Sequence, residues 1–144
     1  MSLTLGDIVG EYSCRLVQGS LDVTISGLAL DSRRIEDGFL FFAIQGTASD
    51  GHDYIGQAID GGAVAILCEQ IPMEIRPDIT YLELTTLRSA IGLMAATYYG
   101  FPTREIQMVG VTGTNGKSSI VTILFQLFTH LGYPCGLLST IENR

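Results

Sequence analysis

The stretch Gly110-Val111-Thr112-Gly113-Thr114-Asn115-Gly116-Lys117-Ser118-Ser119 constrains this chain more than any other. A short apolar run, Glu105-Ile106-Gln107-Met108-Val109, precedes it, and the apolar-rich segment Ile120 to Phe128 follows. That order predicts a strand, a glycine-rich loop and a helix. Consecutive backbone N–H groups converge on phosphate oxygens only where no Cβ blocks the approach. The helix that follows adds its unpaired first-turn donors and the positive end of its dipole. Lys117 would set a full charge on the terminal phosphates, and the Ser118 hydroxyl would face Mg²⁺.

The general phosphate-loop spacing G-x-x-x-x-G-K-[ST], ending at Gly116-Lys117-Ser118, asks for glycine at position 111, where Val111 stands. Gly110 lies one place too early and Gly113 falls inside the loop. The plainer alternative is a glycine-rich turn between a strand and a helix. Such a turn has no need of a lysine and two hydroxyl residues directly after its last glycine, so phosphate binding is the better reading.

The rest of the chain sets limits. Its 144 residues hold one ordinary domain, or a small one plus part of another. With 47% hydrophobic and 16% charged residues, it has the composition of a globular chain with a substantial core. A net charge of −7 argues against nucleic acid and anionic membrane as partners, and leaves any phosphate site dependent on local donors and Lys117. Cys14, Cys68 and Cys135 are odd in number and widely spaced, which fits free thiols in a reducing cytoplasm. His52 and His130 are too far apart for a metal cluster. No basic stretch followed by an apolar core begins the chain, so no secretory signal is expected, and Met1-Ser2-Leu3 reads as a leader. Ile120 to Leu131 is too short to span a bilayer.

Along the chain, apolar periodicity predicts an α/β protein. Leu3 to Val9 reads as a short helix with Leu5, Ile8 and Val9 inward, and Val23 to Leu30 as a strand delivering Asp31-Ser32-Arg33-Arg34 into a loop. Phe39 to Ile44 is a continuous apolar run, as in a strand buried on both faces. Asp50 is placed to cap a helix carrying Tyr54, Ile55, Ala58 and Ile59, which Gly61-Gly62 stops. Strands follow at Ala63 to Cys68 and Ile79 to Leu84. Thr85 or Thr86 then caps a helix whose inward face is Leu87, Ile91, Met94 and Tyr98, and Gly100 and Pro102 end it. Phe101-Pro102-Thr103 reads as a linker. The helix from Lys117 is expected to end near Gly132, with a further strand over Cys135 to Ile141. The organisation expected is a small α/β domain with mostly buried strands over residues 1–102. A truncated Rossmann-like ATP-binding domain, beginning strand, phosphate loop, helix, follows over residues 103–144.

Two other polar clusters sit where strand ends meet helix starts. Asp31-Ser32-Arg33-Arg34 reads either as a ligand-facing turn or as a solvated turn with a charge pair. Thr47-Ala48-Ser49-Asp50-Gly51-His52 reads equally as an anion or ring-edge site and as a simple capping loop. His52, without a partner at metal spacing, reads as a surface or capping residue, and Arg88 and Arg104 as solvated or paired.

Taken in order, these pieces resemble the Mur ligase family. Gly113-Thr114-Asn115-Gly116-Lys117-Ser118-Ser119 resembles that family's ATP loop, G-T-N-G-K-T-[TS], with serine keeping the hydroxyl at 118. Asp31-Ser32-Arg33, Gly38 to Ile44, Gly46 with Asp50-Gly51-His52, and Ala58 through Gly62-Ala63 resemble its D-S-R, G-D-L-F-x-A, G-x-x-x-D-G-H and A-x-x-x-G-A patterns. Phe39 stands where the usual aspartate of G-D-L-F would be. Arg88-Ser89-Ala90 and Tyr98 to Pro102 are similar to the helix before the ATP loop.

The resemblance implies ATP-dependent amide-bond formation, through an acyl phosphate, in cytoplasmic peptidoglycan synthesis. It implies ATP and Mg²⁺ as cofactors, with a UDP-N-acetylmuramoyl peptide and an amino acid as substrates. ATP would meet Gly113, Thr114, Asn115, Gly116, Lys117, Ser118 and Ser119, with Lys117 catalytic and Ser118 on the metal. The uridine end of the substrate would meet Leu30, Ser32, Thr47, Ala48 and Ser49. The loop together with Gly136 to Ile141 is more similar to members that add the third amino acid to UDP-N-acetylmuramoyl-L-Ala-D-Glu than to those that add D-Ala-D-Ala. Diaminopimelate or lysine as the third residue stays open, and so does the oligomeric state. Residues 1–144 alone are expected to have no ligase activity.

Overall fold

The computed structural model describes residues 3–46 and 49–144. They divide into two compact units at Pro102/Thr103.

The first unit opens with strand β1 (Leu3–Thr4) and helix α1 (Leu5–Val9). Thr4 and Asp7 form a reciprocal capping box at the start of α1. Strands β2 (Arg15–Gln18), β3 (Thr24–Ile25), β4 (Gly27–Ala29) and β5 (Phe39–Ala43) follow, then α2 (Ile55–Asp60), β6 (Ala63–Cys68), β7 (Thr80–Glu83) and α3 (Leu87–Tyr98). A small ribbon pairs β1 with β3, and the main sheet runs β2-β7-β6-β5-β4. Within it β4, β5, β6 and β7 are parallel, and β2 lies antiparallel against β7 at the edge.

The continuous apolar runs are explained by burial on both sheet faces. Leu40 and Phe42 of β5, Ala65 and Leu67 of β6, and Leu82 of β7 pack with Leu5 and Ile8 of α1 and with Leu87, Ala90 and Met94 of α3. Phe41, Ala43, Ile66, Cys68 and Tyr81 pack on the other face with Ile55, Ala58 and Ile59 of α2. Burial pushes the Cys68 thiol up to about 12, with the nearby Glu83 carboxylate adding to the shift. It is an inert core residue.

Several expected elements came out differently. The segment Val23 to Leu30 is two short strands, β3 and β4, because it changes partner at Ser26, pairing first with β1 and then with β5. Strand β2 was not expected. Its residues are half-exposed, and its place at the edge is fixed by β7 and by the Arg15–Glu83 ion pair at 2.7 Å. Thr86 stands at the N-cap of α3, yet its side chain makes no capping bond.

The second unit is a loop leading into helix α4 (Lys117–His130). The strands expected at Glu105 to Val109 and Cys135 to Ile141 are absent; only an isolated bridge joins Leu138 to Asn143. A strand needs a ladder: among the described residues no segment pairs with residues 105–109, and residues 135–141 pair only through the short turn that brings Leu137 against Arg144. Helix α4 has no buried residue, and Ile120, Ile123 and Leu127 are exposed along it. No helix among the described residues is long and apolar enough to cross a membrane.

Candidate functional site

In the first unit, strands β4 and β5 run parallel and end side by side, so the segments leaving their carboxyl ends form the walls of a groove. Ligands of open parallel sheets collect at such ends. The groove has a volume of about 580 Å³, within the usual range for small-molecule sites.

Leu30 follows β4 directly and lines the groove as an exposed apolar side chain. Asp31 caps the short 3₁₀ turn Ser32–Arg34 by accepting the Arg33 N–H at 3.1 Å. The Arg33 guanidinium returns to the same carboxylate through Nε at 2.9 Å and Nη2 at 2.7 Å. These bonds hold the Asp31 carboxyl down at about 2. Ser32 is buried at the base, and its Oγ donates to Gln57 Oε1 at 2.8 Å.

The opposite wall leaves β5 through Ile44 and Gly46. There Gly46 N–H donates to the Ser49 carbonyl and Gly51 N–H to the Ile44 carbonyl, each at 2.9 Å. Asp50 caps the 3₁₀ turn Gly51–Tyr54 by accepting the His52 N–H at 3.0 Å. Arg88 of α3 donates from Nη2 to the Gln45 carbonyl, so this loop is also anchored from the sheet's far side. Thr47 and Ala48 lie outside the described residues.

Leu30, Ser32 and Ser49 therefore line one groove, although nearly twenty positions separate the first from the last in sequence. Arg33, from the same turn, lines it too, as do two residues that the sequence did not mark as site residues: Tyr54 and Gln57.

The second unit carries the other candidate set. Gly116 is left-handed (φ 76°), a conformation glycine adopts without steric cost, and it brings the chain into α4 at Lys117. No side chain caps the helix start. The exposed Lys117 ammonium turns back over the loop, donating to the Gly113 carbonyl and, at 3.4 Å, to that of Thr114. Thr114, Asn115 and Ser119 are exposed and Ser118 is half-buried. The loop is open, with first-turn amides, one cation and hydroxyls gathered within a few residues. Among the described residues no group of three or more His, Cys, Asp or Glu side chains could hold a metal ion.

A family model described as "Mur ligase family, catalytic domain" matches residues 24–99, more than half of the chain. The chain belongs to the Mur ligase family. The matched span covers the groove, and the loop at 113–119 lies beyond it.

Among the relatives of this Mur ligase chain is a UDP-N-acetylmuramoyl-L-alanyl-D-glutamate--2,6-diaminopimelate ligase from Bacteroides fragilis. It is 46% identical over 98% of the chain, and the chain spans 29% of its length. A solved structure titled with the same enzyme name is similar over the whole chain and 29% of its own, with a TM-score of 0.69 and 20% identity. A MurF ligase from Thermotoga maritima, solved in complex with ADP, matches 72% of this chain and 23% of its own at 27% identity and a TM-score of 0.55. The mixed α/β architecture with a parallel sheet is therefore shared with solved Mur ligases.

Proposed function

We propose that this chain is the nucleotide-handling part of a ligase that adds 2,6-diaminopimelate to UDP-N-acetylmuramoyl-L-Ala-D-Glu with ATP. The observation that carries the reading is the relative named for that reaction, which is similar across nearly the entire chain, groove and loop included.

In this reading residues 1–102 bind substrate and residues 103–144 begin the ATP-binding domain. Leu30, Ser32 and the 47–49 loop hold the uridine end of the substrate. Two features support that role: a groove of suitable volume at parallel strand ends, and an apolar wall beside a buried hydroxyl. The amides following Gly116, with Lys117, hold the triphosphate. The ADP complex of the Thermotoga ligase supports a nucleotide in this family.

Phosphoryl transfer to a substrate carboxylate depends on positioning and on neutralising charge. Lys117 is the charge this chain supplies, and its present carbonyl partners are ones a phosphate can replace. Ser118 contributes one neutral oxygen towards Mg²⁺. That donor set fits only as a part, because the ion takes six oxygens, ordinarily including carboxylates and substrate phosphates. When bound, the ion screens the triphosphate charge. The reaction belongs to the cytoplasm, where ATP is available.

The test is the Lys117→Ala variant of the full-length ligase. Removing a charge aimed at the transition state costs roughly 10²–10³-fold in turnover. Binding of the uridine nucleotide should stay within about twofold, because Lys117 belongs to the other unit. Normal turnover in that variant would refute the role given to the loop.

A further inference from the structure

Resting on the reading of the groove as a nucleotide site, the wall that leaves β5 contains one residue gripped from outside the groove. Gln45 lies just beyond the end of β5 and faces Asp50 across an isolated antiparallel bridge. The bonds that close this bridge belong to its neighbours: Gly46 N–H donates to the Ser49 carbonyl and Gly51 N–H to the Ile44 carbonyl. Gln45 and Asp50 are therefore a non-hydrogen-bonded pair, and the N–H and C=O of Gln45 point away from Asp50. A backbone donor and acceptor turned outward need partners of their own.

Two charged side chains supply them. Glu69, directly after β6, accepts the Gln45 N–H at 3.3 Å. Arg88, in the first turn of α3, donates from Nη2 to the Gln45 carbonyl. The ladder between β5 and β6, whose last pair is Ala43 with Cys68, is thus carried one step further by side chains. The sense of both contacts is fixed by the groups themselves. A guanidinium and an amide N–H can only donate, and a carbonyl and a carboxylate can only accept. Gly46 and Ser49 line the groove, whereas Arg88 and Glu69 stand behind it.

We propose that Arg88, with Glu69 as its companion, is a positioning residue for nucleotide binding in this groove. Arg88 touches no part of the ligand. By fixing the peptide that joins Gln45 to Gly46, it holds Gly46 and Ser49 in place before the ligand arrives. A wall that is already ordered does not have to be ordered on binding, and that saving appears as affinity. Its loss corresponds to roughly 5- to 10-fold weaker binding.

The test is calorimetric titration of UDP into the 144-residue chain, unaltered and as Arg88→Met and Arg88→Lys. Amide hydrogen exchange is read on the same three proteins without ligand. Arg88→Met should weaken UDP binding by roughly 5- to 10-fold. Arg88→Lys should recover most of that loss, because a single N–H is all the carbonyl uses. In Arg88→Met the Gly46 and Gly51 amides should exchange roughly 5- to 10-fold faster, while Leu67 of β6 keeps its rate. Arg88 is exposed and carries no core packing, so a change confined to the wall is the mark of positioning. An affinity loss below about threefold in Arg88→Met overturns the proposal, and so does Arg88→Lys binding no better than Arg88→Met. Equal acceleration at Leu67 and Gly46 overturns it too, since that is general destabilisation. Should Arg88→Met fail to fold, Glu69→Met decides in its place, with a loss of at least about threefold expected and a smaller one overturning the proposal. Failure of the unaltered chain to bind UDP at all overturns the reading of the groove, and the proposal with it.

Discussion

Nε2 of His52 accepts the backbone N–H of Gln70 at 3.2 Å, while Nδ1 of the same ring lies 2.6 Å from Asp50 Oδ1. Because an amide N–H can only donate, Nε2 is bare and the ring proton sits on Nδ1, donated to Asp50. The imidazole thus ties the wall of the groove to the residues leaving β6. Its role is structural, and replacing it removes two hydrogen bonds at once. His52→Ala should lower unfolding free energy by about 1–3 kcal/mol, read by urea denaturation. A loss below about 0.5 kcal/mol would mean that the tie contributes nothing.

Asp31 offers a pH test. Its carboxyl is held down at about 2 by the Arg33 side chain and N–H, against 3.8 for the free group. Between those values the unfolded chain binds more protons than the folded one, so stability rises with pH across that window. The contribution is fully present above about pH 4 and is lost as the pH falls towards 2. A carboxyl-detected NMR titration should find Asp31 ionised at pH 3, and Arg33→Met should move its midpoint back up.

Gly62 marks where the chain turns from α2 into β6. It has φ 108°, and a Cβ there would lie 2.4 Å from Asp37 Oδ1 and 2.9 Å from the Asp37 Cα and N. Its carbonyl also accepts the Gly38 N–H at 2.9 Å, so the turn cannot back away without breaking that bond. Gly62→Ala should therefore destabilise by about 1–3 kcal/mol, measured by the same denaturation.

Leu67, fully buried in central strand β6, packs in the cluster shared with α1 and α3. Leu67→Ala should cost about 2–5 kcal/mol, against well under 1 kcal/mol for truncation of an exposed surface side chain such as Met73.

Much of the first unit could be read from local pattern, because its apolar residues are placed by period. Leu5, Ile8 and Val9 of α1 and Leu87 and Met94 of α3 are inward as their spacing requires, and β6 spans Ala63 to Cys68 as expected. What escaped is what long-range partners decide. Arg15 to Gln18 is short and has no clear alternation, and only pairing with β7 makes it a strand. Residues 105–109 have the apolar run of a strand without a neighbour to pair with, so they remain irregular.

The groove shows the same division. Asp31-Ser32-Arg33 and Ser49 were visible as polar residues after apolar runs, whereas Gln57 enters only because α2 packs against the turn Ser32–Arg34 that follows β4. Sequence spacing carries no record of that contact.

Two different nucleotides are expected at two separate places in this chain, and amide-resolved NMR of the 144 residues tests that directly. UDP is predicted to shift the signals of Leu30, Ser32, Ser49 and Gln57 while leaving Gly113 to Ser119 unmoved, and ATP to do the opposite. If UDP shifted Gly113 to Ser119, or if both nucleotides moved one common set, the assignment of uridine to the groove and triphosphate to the loop would be contradicted.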